Sequence, residues 1–450
     1  MKWGRKARWY HGKASGSAGG KGDRRCHLRH RFFSDKNIKV VRRAAYLRQE
    51  PQPRRGNRWN RERSKLGGSD RPGNRLPRGA CSLRIIPSIS GIEPGGKRMS
   101  HANDRLFDHK LAREWKLKKS RAERDKRMTL QEAIATLVED GDSIVETGFA
   151  YVRGPMAAYW EIGRQRKKNL VGIFTPGGMN TAWHEFGGLE GAHVAYVGVE
   201  MRGLISPFRR GVEAGTLKIY SEWSHGALAL ALRAAEQGVN YVACKSMLGT
   251  DLMRTNPYVR EAKDPWTGEP VCLVPAMYPD VAIFHVHHAD KYGNSRIWGP
   301  SVNDTAIAVA ARKVIVTCER IVSSEDIRSN PYQVIIPHYC VDAVCEVPYG
   351  AYPGDMPGMY YFDRRLQERV VRIEWKTKES TKEWYEKYIL GTKDHYEMIQ
   401  LIAEEEGMNV LEYMKRLEQL SCDASYFGLG YWGVGGERDW KYEEVAKRAI

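Results

Sequence analysis

All of the chain's excess positive charge lies in its first 98 residues, so the part that builds a core has to be sought after them. Of 72 Lys and Arg, 27 fall in residues 1–98, where only 6 of the 54 Asp and Glu accompany them. The remaining residues carry 45 basic against 48 acidic side chains and are slightly acidic. The overall pI near 9.4 therefore does not describe the folding part, although by itself it would suggest a nucleic-acid binder.

Stretches such as QPRRGNRWNRERSK (residues 52–65) show neither a helical nor a strand period. Their few apolar side chains cannot offset the entropy of ordering, so residues 1–98 are expected to be a disordered basic segment. Gly95-Gly96-Lys97-Arg98 directly precedes Met99, and those residues can be encoded by a purine-rich stretch like a bacterial ribosome-binding site. The expectation is that translation starts at Met99 and that 1–98 is translated upstream DNA. A basic nucleic-acid-binding arm is the competing reading, and it rests on 1–98 alone. No secretory apolar core and no run of 18 apolar residues is present, which points to a cytoplasmic chain without a membrane contact.

Residues 99–450 suffice for one large α/β domain or two smaller ones. Their six cysteines (Cys244, Cys272, Cys318, Cys340, Cys345, Cys422) form no CxxC pair and read as reduced, buried thiols. Strands alternate with helices. Thr129 to Glu132 is a capping box, opening a helix whose face is Leu130, Ala133, Ile134, Leu137 and Val138. A strand over 143–146 follows, then a helix opened by Pro155. Strands are expected at 169–174, 193–199, 217–220, 241–244, 280–288, 313–318 and 341–347. Helices are expected from Ser206 to Gly215, from Ser224 to Gly238 and over 304–312. This pattern predicts an α/β fold with an open, mostly parallel sheet and flanking helices. From about residue 363 the chain turns charged and helical.

Common catalytic signatures are missing: there is no G-x-S-x-G elbow and no Walker A loop. Gly428, Gly430 and Gly433 match G-x-G-x-x-G but have too little chain after them for a βαβ unit, so a flexible tail is the reading. His285 and His287 share a strand face while His288 points away; a hydrogen-bonded strand end at a cleft suits them better than a metal. Three loops at strand carboxyl ends remain as a candidate cleft. They are Glu146-Thr147-Gly148-Phe149, Thr175-Pro176-Gly177-Gly178 and Glu222-Trp223-Ser224-His225. The backbone N–H groups of the glycine loops can stabilise an oxyanion there. Arg153, Arg202, Arg209, Arg210 and Arg296 are candidates for holding a carboxylate or phosphate.

With those residues in view, the chain resembles the A subunit of family I CoA-transferases. DGDSIVETGF (140–149) and GPMAAYWEIGRQRKKN (154–169) match its opening. YGNSRIWG (292–299), ARKVIVTCERIVSSEDIR (311–328) and VDAVCEVPYGAYP (341–353) are most like the A subunit of glutaconate CoA-transferase, and LGTKDHYE (390–397) fits near its end. The resemblance spans Met128 to Leu401 and leaves 1–98 without a counterpart.

It implies a two-subunit enzyme that moves CoA from an acyl-CoA to a carboxylic acid through a glutamyl-CoA thioester. It implies no permanently bound cofactor and no metal, with CoA and acyl-CoA as substrates. The nucleophilic glutamate belongs to the B subunit, so this chain carries no certain catalytic residue. Thr147, Gly148, Phe149, Gly177, Gly178 and Ser224 are the expected oxyanion and cleft residues. A heterodimer or heterotetramer with the CoA-transferase B subunit is expected. The family's Gly-Gly-Phe after the first strand is Thr147-Gly148-Phe149 here, which trades a glycine for a hydroxyl. The superfamily also contains acyl-CoA hydrolases that open steroid rings. In that alternative, Glu222 and His225 activate water.

Overall fold

The computed structural model describes residues 101–149, 152–175, 177–199 and 203–426, with side chains described up to residue 419. The basic segment 1–98, Met99, Pro176, Arg202 and the glycines at 428, 430 and 433 lie outside the described residues.

Twelve strands are described: β1 (Ser143–Val145), β2 (Leu170–Phe174), β3 (Leu189–Val194), β4 (Lys218–Glu222), β5 (Tyr241–Cys244), β6 (Arg260–Lys263), β7 (Pro270–Pro275), β8 (Val281–Ala289), β9 (Ser295–Arg296), β10 (Lys313–Ile321), β11 (Val334–Ile336) and β12 (Ala343–Glu346). Seven of them run parallel in the order β12-β10-β8-β1-β2-β3-β4. β9 and β11 extend the carboxyl end of β8 in antiparallel fashion. The expected open, mostly parallel sheet is thus present.

Alternation along the strands feeds two cores. Ile144, Val281, Ile283 and Ile315 face the helices Leu130–Leu137 and Met156–Arg164 and the C-terminal helices. Val145, Ala282, Phe284, Val314 and Val316 face the helices His225–Gln237 and Asp304–Ala310. Burial on both faces explains why these strands read as continuous apolar runs. The helix ends follow local chemistry: Thr129 and Glu132 form the capping box, Ser224 caps its helix, and Gly238 stops that helix in a left-handed turn.

Two expectations shift. The third strand ends at Val194 instead of running through 193–199, because its partner β2 ends at Phe174. Beyond that point the chain bridges Gly177 through Val197. Residues 241–244 do form a strand, but it pairs antiparallel with β7 in a separate three-stranded sheet, β5-β7-β6. The hairpin β6–β7 is absent from the sequence reading, since Arg260–Lys263 is a short polar strand without apolar alternation. The helices from about 363 are present and include two π-helical turns, Val370–Glu374 and Glu386–Leu390. No helix among the described residues is long and apolar enough to cross a membrane.

Candidate active site

The chain fills the sheet outward from β1 to β4, then returns to the other side of β1 with β8, β10 and β12. β1 and β8 are therefore the switch point, where the connections leaving two adjacent parallel strands diverge and open a crevice at their carboxyl ends.

At that end, Glu146 follows β1 directly and ties its amide to Ile173 O at 3.0 Å. Its carboxylate turns inward: it is 8% exposed, and Oε1 accepts from the Gly178 amide at 3.0 Å. Oε2 has no hydrogen-bond partner. Burial pushes this carboxyl well above the usual range, although the Gly178 and Thr175 amides favour the anion. Glu146 lines a small solvent-open cavity of about 20 Å³ together with Tyr159, Gly178, Asn180, Pro353 and Gln367. Glu146 stood in the first candidate loop but was not singled out; its apolar neighbours Ile144 and Val145 were the available signal.

The neighbouring groups are fixed by the fold and not offered to a ligand. The Thr147 hydroxyl donates to Ile283 O on β8. Gly148 has φ +75°, and a Cβ there would sit 2.4 Å from Val152 O, so only glycine fits. The Phe149 amide donates to Val152 O at 2.9 Å. The Gly177 amide donates to Tyr196 O at 2.7 Å. Gly178 shares its N–H between Glu146 and Asn180 Oδ1, the latter at 3.2 Å. These are the Phe149, Gly177 and Gly178 amides and the Thr147 hydroxyl expected as oxyanion donors. Each of those hydrogens already has an internal acceptor.

The third loop lies elsewhere. Glu222 ends β4, three strands from β1, and its side chain is exposed. His225 is exposed too, and no hydrogen bond or ion pair joins the two. Ser224 Oγ caps its helix by accepting from Ala227 N at 3.1 Å and meets Ser246 Oγ at 2.6 Å.

His285 is fully buried; Nδ1 meets Thr317 Oγ1 at 2.8 Å and Nε2 meets Glu319 Oε1 at 2.7 Å. Burial would raise the Glu319 carboxyl, but His285, the Tyr360 hydroxyl and the Tyr349 amide together hold it below its ordinary value. This network anchors the 349–360 loop, which carries Pro353 and Gly354 to the cavity. His287 accepts from Trp298 N on Nδ1 and donates from Nε2 to Pro357 O, so both ring nitrogens are occupied. Burial lowers its pKa to about 4.

The candidate arginines are also engaged. Arg153 is buried and holds the Asp304 carboxylate at 3.2 and 3.1 Å. Arg209 pairs with Glu213, Arg210 with Glu185, and Arg296 with Asp326. Cys244, Cys272, Cys318, Cys340 and Cys345 are free thiols, and burial pushes Cys272 and Cys340 up to about 11. Among the described residues no group of three or more His, Cys, Asp or Glu is placed to hold a metal.

The Coenzyme A transferase family pattern matches residues 127–347, which hold all twelve strands and the switch-point loops. The chain is 34% identical over 281 residues to the A subunit of 3-oxoadipate CoA-transferase from Pseudomonas knackmussii, covering 62% of this chain and 98% of that protein. The chain belongs to the CoA-transferase family, as an A subunit. The A subunit of glutaconate CoA-transferase from Acidaminococcus fermentans is 34% identical over 293 residues, 60% of this chain and 90% of the relative. The crystal structure of glutaconate CoA-transferase from that organism superposes with a TM-score of 0.60 at 32% identity, covering 62% of this chain and 93% of that one. A more distant relative, the cholesterol ring-cleaving hydrolase IpdA subunit of Rhodococcus jostii, is 27% identical over 302 residues, 64% of this chain and 99% of the relative. The glutaconate CoA-transferase structure thus shares this chain's fold, and the family's matched stretch ends at Val347, just before the anchored loop.

Proposed function

We propose that this chain is the A subunit of a two-subunit enzyme that moves CoA from an acyl-CoA to a carboxylic acid, with the attacking glutamate on the B subunit. The observation that carries the reading is the state of Glu146. It is the acidic side chain in the described lining of the switch-point cavity; burial pushes its carboxyl well above the usual range, and Gly178 holds one of its oxygens. A buried, pinned carboxyl is a poor nucleophile, which favours an attacking carboxylate on a partner facing the same crevice.

In the proposed cycle a glutamate oxygen of the partner attacks the thioester carbonyl carbon, the C–S bond breaks, and CoA leaves as thiolate. The thiolate then attacks the glutamyl carbonyl of the mixed anhydride and releases the first acid as a carboxylate. The acceptor acid reverses both steps, so no metal or redox partner enters the balance. This chain contributes one largely apolar wall of the crevice, which the partner closes against water. A heterodimer or heterotetramer with the B subunit is the proposed assembly. The hydrolase alternative needs Glu222 and His225 to work as a pair, and their separate, exposed positions give it no comparable support.

Purified complex incubated with acyl-CoA, then denatured and analysed by mass spectrometry, tests this reading. A CoA thioester adduct on the partner is expected. An adduct on this chain would overturn the assignment of the nucleophile, and CoA exchange by the chain alone would overturn the need for the partner.

A further inference from the structure

The small sheet β5-β7-β6 sets two cysteines side by side. In its antiparallel register Cys244 of β5 stands directly opposite Cys272 of β7, and directly opposed residues project from the same face. Both thiols are free. The register also fixes their spacing. The Ala276 amide donates to Asn240 O at 2.9 Å, so that opposed pair is a hydrogen-bonded one. Hydrogen-bonded and open pairs alternate along an antiparallel ladder, which puts Cys244 and Cys272, four positions on, in a hydrogen-bonded pair with Cα atoms about 5.5 Å apart. A disulfide spans that distance. Cβ atoms at about 4.5–5.5 Å, however, have to draw in toward the roughly 3.8 Å of a relaxed bond.

The two positions differ in access. β7 is the central strand, and Cys272 is fully buried in the core that packs on the helix His225–Gln237. β5 is an edge strand, and Cys244 is half-buried, its thiol 3.8 Å from Ser246 O. Burial and the adjacent Cys244 thiol push Cys272 up to about 11, which keeps it a thiol until something reaches its neighbour. Cys318 and Cys345 also lie on adjacent strands, but Cys345 stands opposite Thr317 and Cys318 opposite Glu346, and both are buried. Among the described residues, Cys244 and Cys272 are the cysteines that share a register position.

We propose that Cys244 and Cys272 form a thiol–disulfide exchange site for small disulfides of the glutathione type, with Cys244 as the attacking thiol and Cys272 as the resolving one. The proposal does not depend on the CoA-transfer reading. Cys244, as thiolate, attacks one sulfur of the small disulfide; the S–S bond breaks, and one small thiol leaves and takes up a proton. Cys272 then gives up its proton and attacks Cys244 Sγ of the mixed disulfide. The second small thiol leaves and the cross-strand bond closes. The cysteine pair loses two electrons, and the small disulfide is reduced to two thiols. Excess small thiol runs the sequence backwards, and the drawn-in Cβ atoms favour that opening.

The test uses the native complex with its partner subunit and oxidised glutathione as the probe, followed by an alkylating quench and peptide mapping by mass spectrometry. The expected product joins the peptides that carry Cys244 and Cys272, and excess reduced glutathione returns both to thiols without unfolding. In the reduced complex Cys244 should alkylate at least tenfold faster than Cys272. In Cys272→Ala the glutathione should stay on Cys244 as a lasting mixed disulfide. In Cys244→Ser, Cys272 should remain unmodified, since no accessible thiol stands beside it to take the first step. Four results overturn the proposal: a glutathione adduct that persists on wild-type Cys244 without the cross-link, a cross-link that forms only after denaturation, a cross-link that excess reduced glutathione leaves intact, or modification of Cys272 in Cys244→Ser at the wild-type rate. The first three are read on the wild type, so a variant that fails to fold leaves the test in place.

Discussion

The two ends of the parallel sheet solve the same problem in opposite ways. At the amino end, Asp280 is fully buried and accepts from Arg105 Nε and Nη2 at 3.1 and 2.8 Å and from the Ser143 amide and hydroxyl at 3.0 and 2.9 Å. Beside it, Asp142 takes Lys313 Nζ at 2.7 Å and Arg312 at 3.2 Å. Both carboxylates there have cations and amides around them, stitching β1, β8 and β10 together. At the carboxyl end, Glu146 has one amide on one oxygen and no partner on the other. Buried polar groups cost free energy unless they are paired. The amino end is therefore built for stability, and the carboxyl end holds an unspent hydrogen-bonding capacity. The same strands begin in one environment and end in the other within a few residues.

The largest expected effect tests the saturated end. Asp280→Ala removes the main partner of a buried charge and leaves Arg105 only the Gly141 carbonyl and the longer Asp142 contact among the bonds named here, and such losses cost about 3–5 kcal/mol. Urea unfolding of the complex should show it as a drop in midpoint at unchanged slope. A cost below about 1 kcal/mol would mean that the network is ornamental and would erase the contrast between the two ends.

Next in size is Gly148→Ala. The added Cβ meets Val152 O and Arg153 backbone at 2.4 and 2.9 Å in a left-handed conformation. A strained residue of this kind costs about 1–3 kcal/mol, and displacement of the turn should also distort the cavity beside it. Stability and CoA exchange should fall together; a fall in neither would show that the turn is free to rearrange.

Smaller, and opposite in sign, is the effect of Glu146→Gln on stability. A carboxyl whose folded pKa is raised binds its proton more tightly when folded. Its contribution is therefore most favourable below the ordinary glutamate value and declines as pH rises from there through the folded pKa. The amide cannot ionise and keeps the Gly178 bond. The variant should match the wild type near pH 4 and exceed it at pH 8 by about 0.5–2 kcal/mol, as removal of a functional burden commonly does. Thermal unfolding across that range checks the sign, and a variant less stable than wild type at pH 8 would make Glu146 a structural group.

What the sequence disclosed follows the same division. Strands buried on both faces, such as Val281–Ala289 and Lys313–Ile321, read as apolar runs, and helices with caps at Thr129 and Ser224 announced their own starts. Those signals are local. Arg260–Lys263 forms a strand only because β7 lies beside it, and no pattern within Arg-Glu-Ala-Lys discloses that. The three candidate loops were legible as strand ends, yet their roles were not. Whether Thr147 Oγ1 faces a ligand or Ile283 O depends on β8, 136 residues away in the chain. The weight of Glu146 comes from Tyr159, Gly178 and Gln367 closing around it, and no spacing rule joins those four positions.

The smallest expected effect concerns the loop that the switch point leaves out. Glu222 and His225 lie at the carboxyl end of β4, exposed and unlinked to each other. Surface substitutions away from special contacts change stability by about 0.5 kcal/mol or less, so Glu222→Gln and His225→Ala should unfold with the wild type. In a transferase whose glutamate sits on the partner, the same variants should keep CoA exchange within a few-fold, and acyl-CoA should persist when no acceptor acid is present. A hydrolase that draws its water-activating base from this loop behaves otherwise: acyl-CoA disappears without an acceptor, and either substitution stops it. Acceptor-independent loss of acyl-CoA by the wild type, abolished in Glu222→Gln, would move the chemistry from the buried switch point to the exposed edge of the sheet and reverse which of these loops the chain uses.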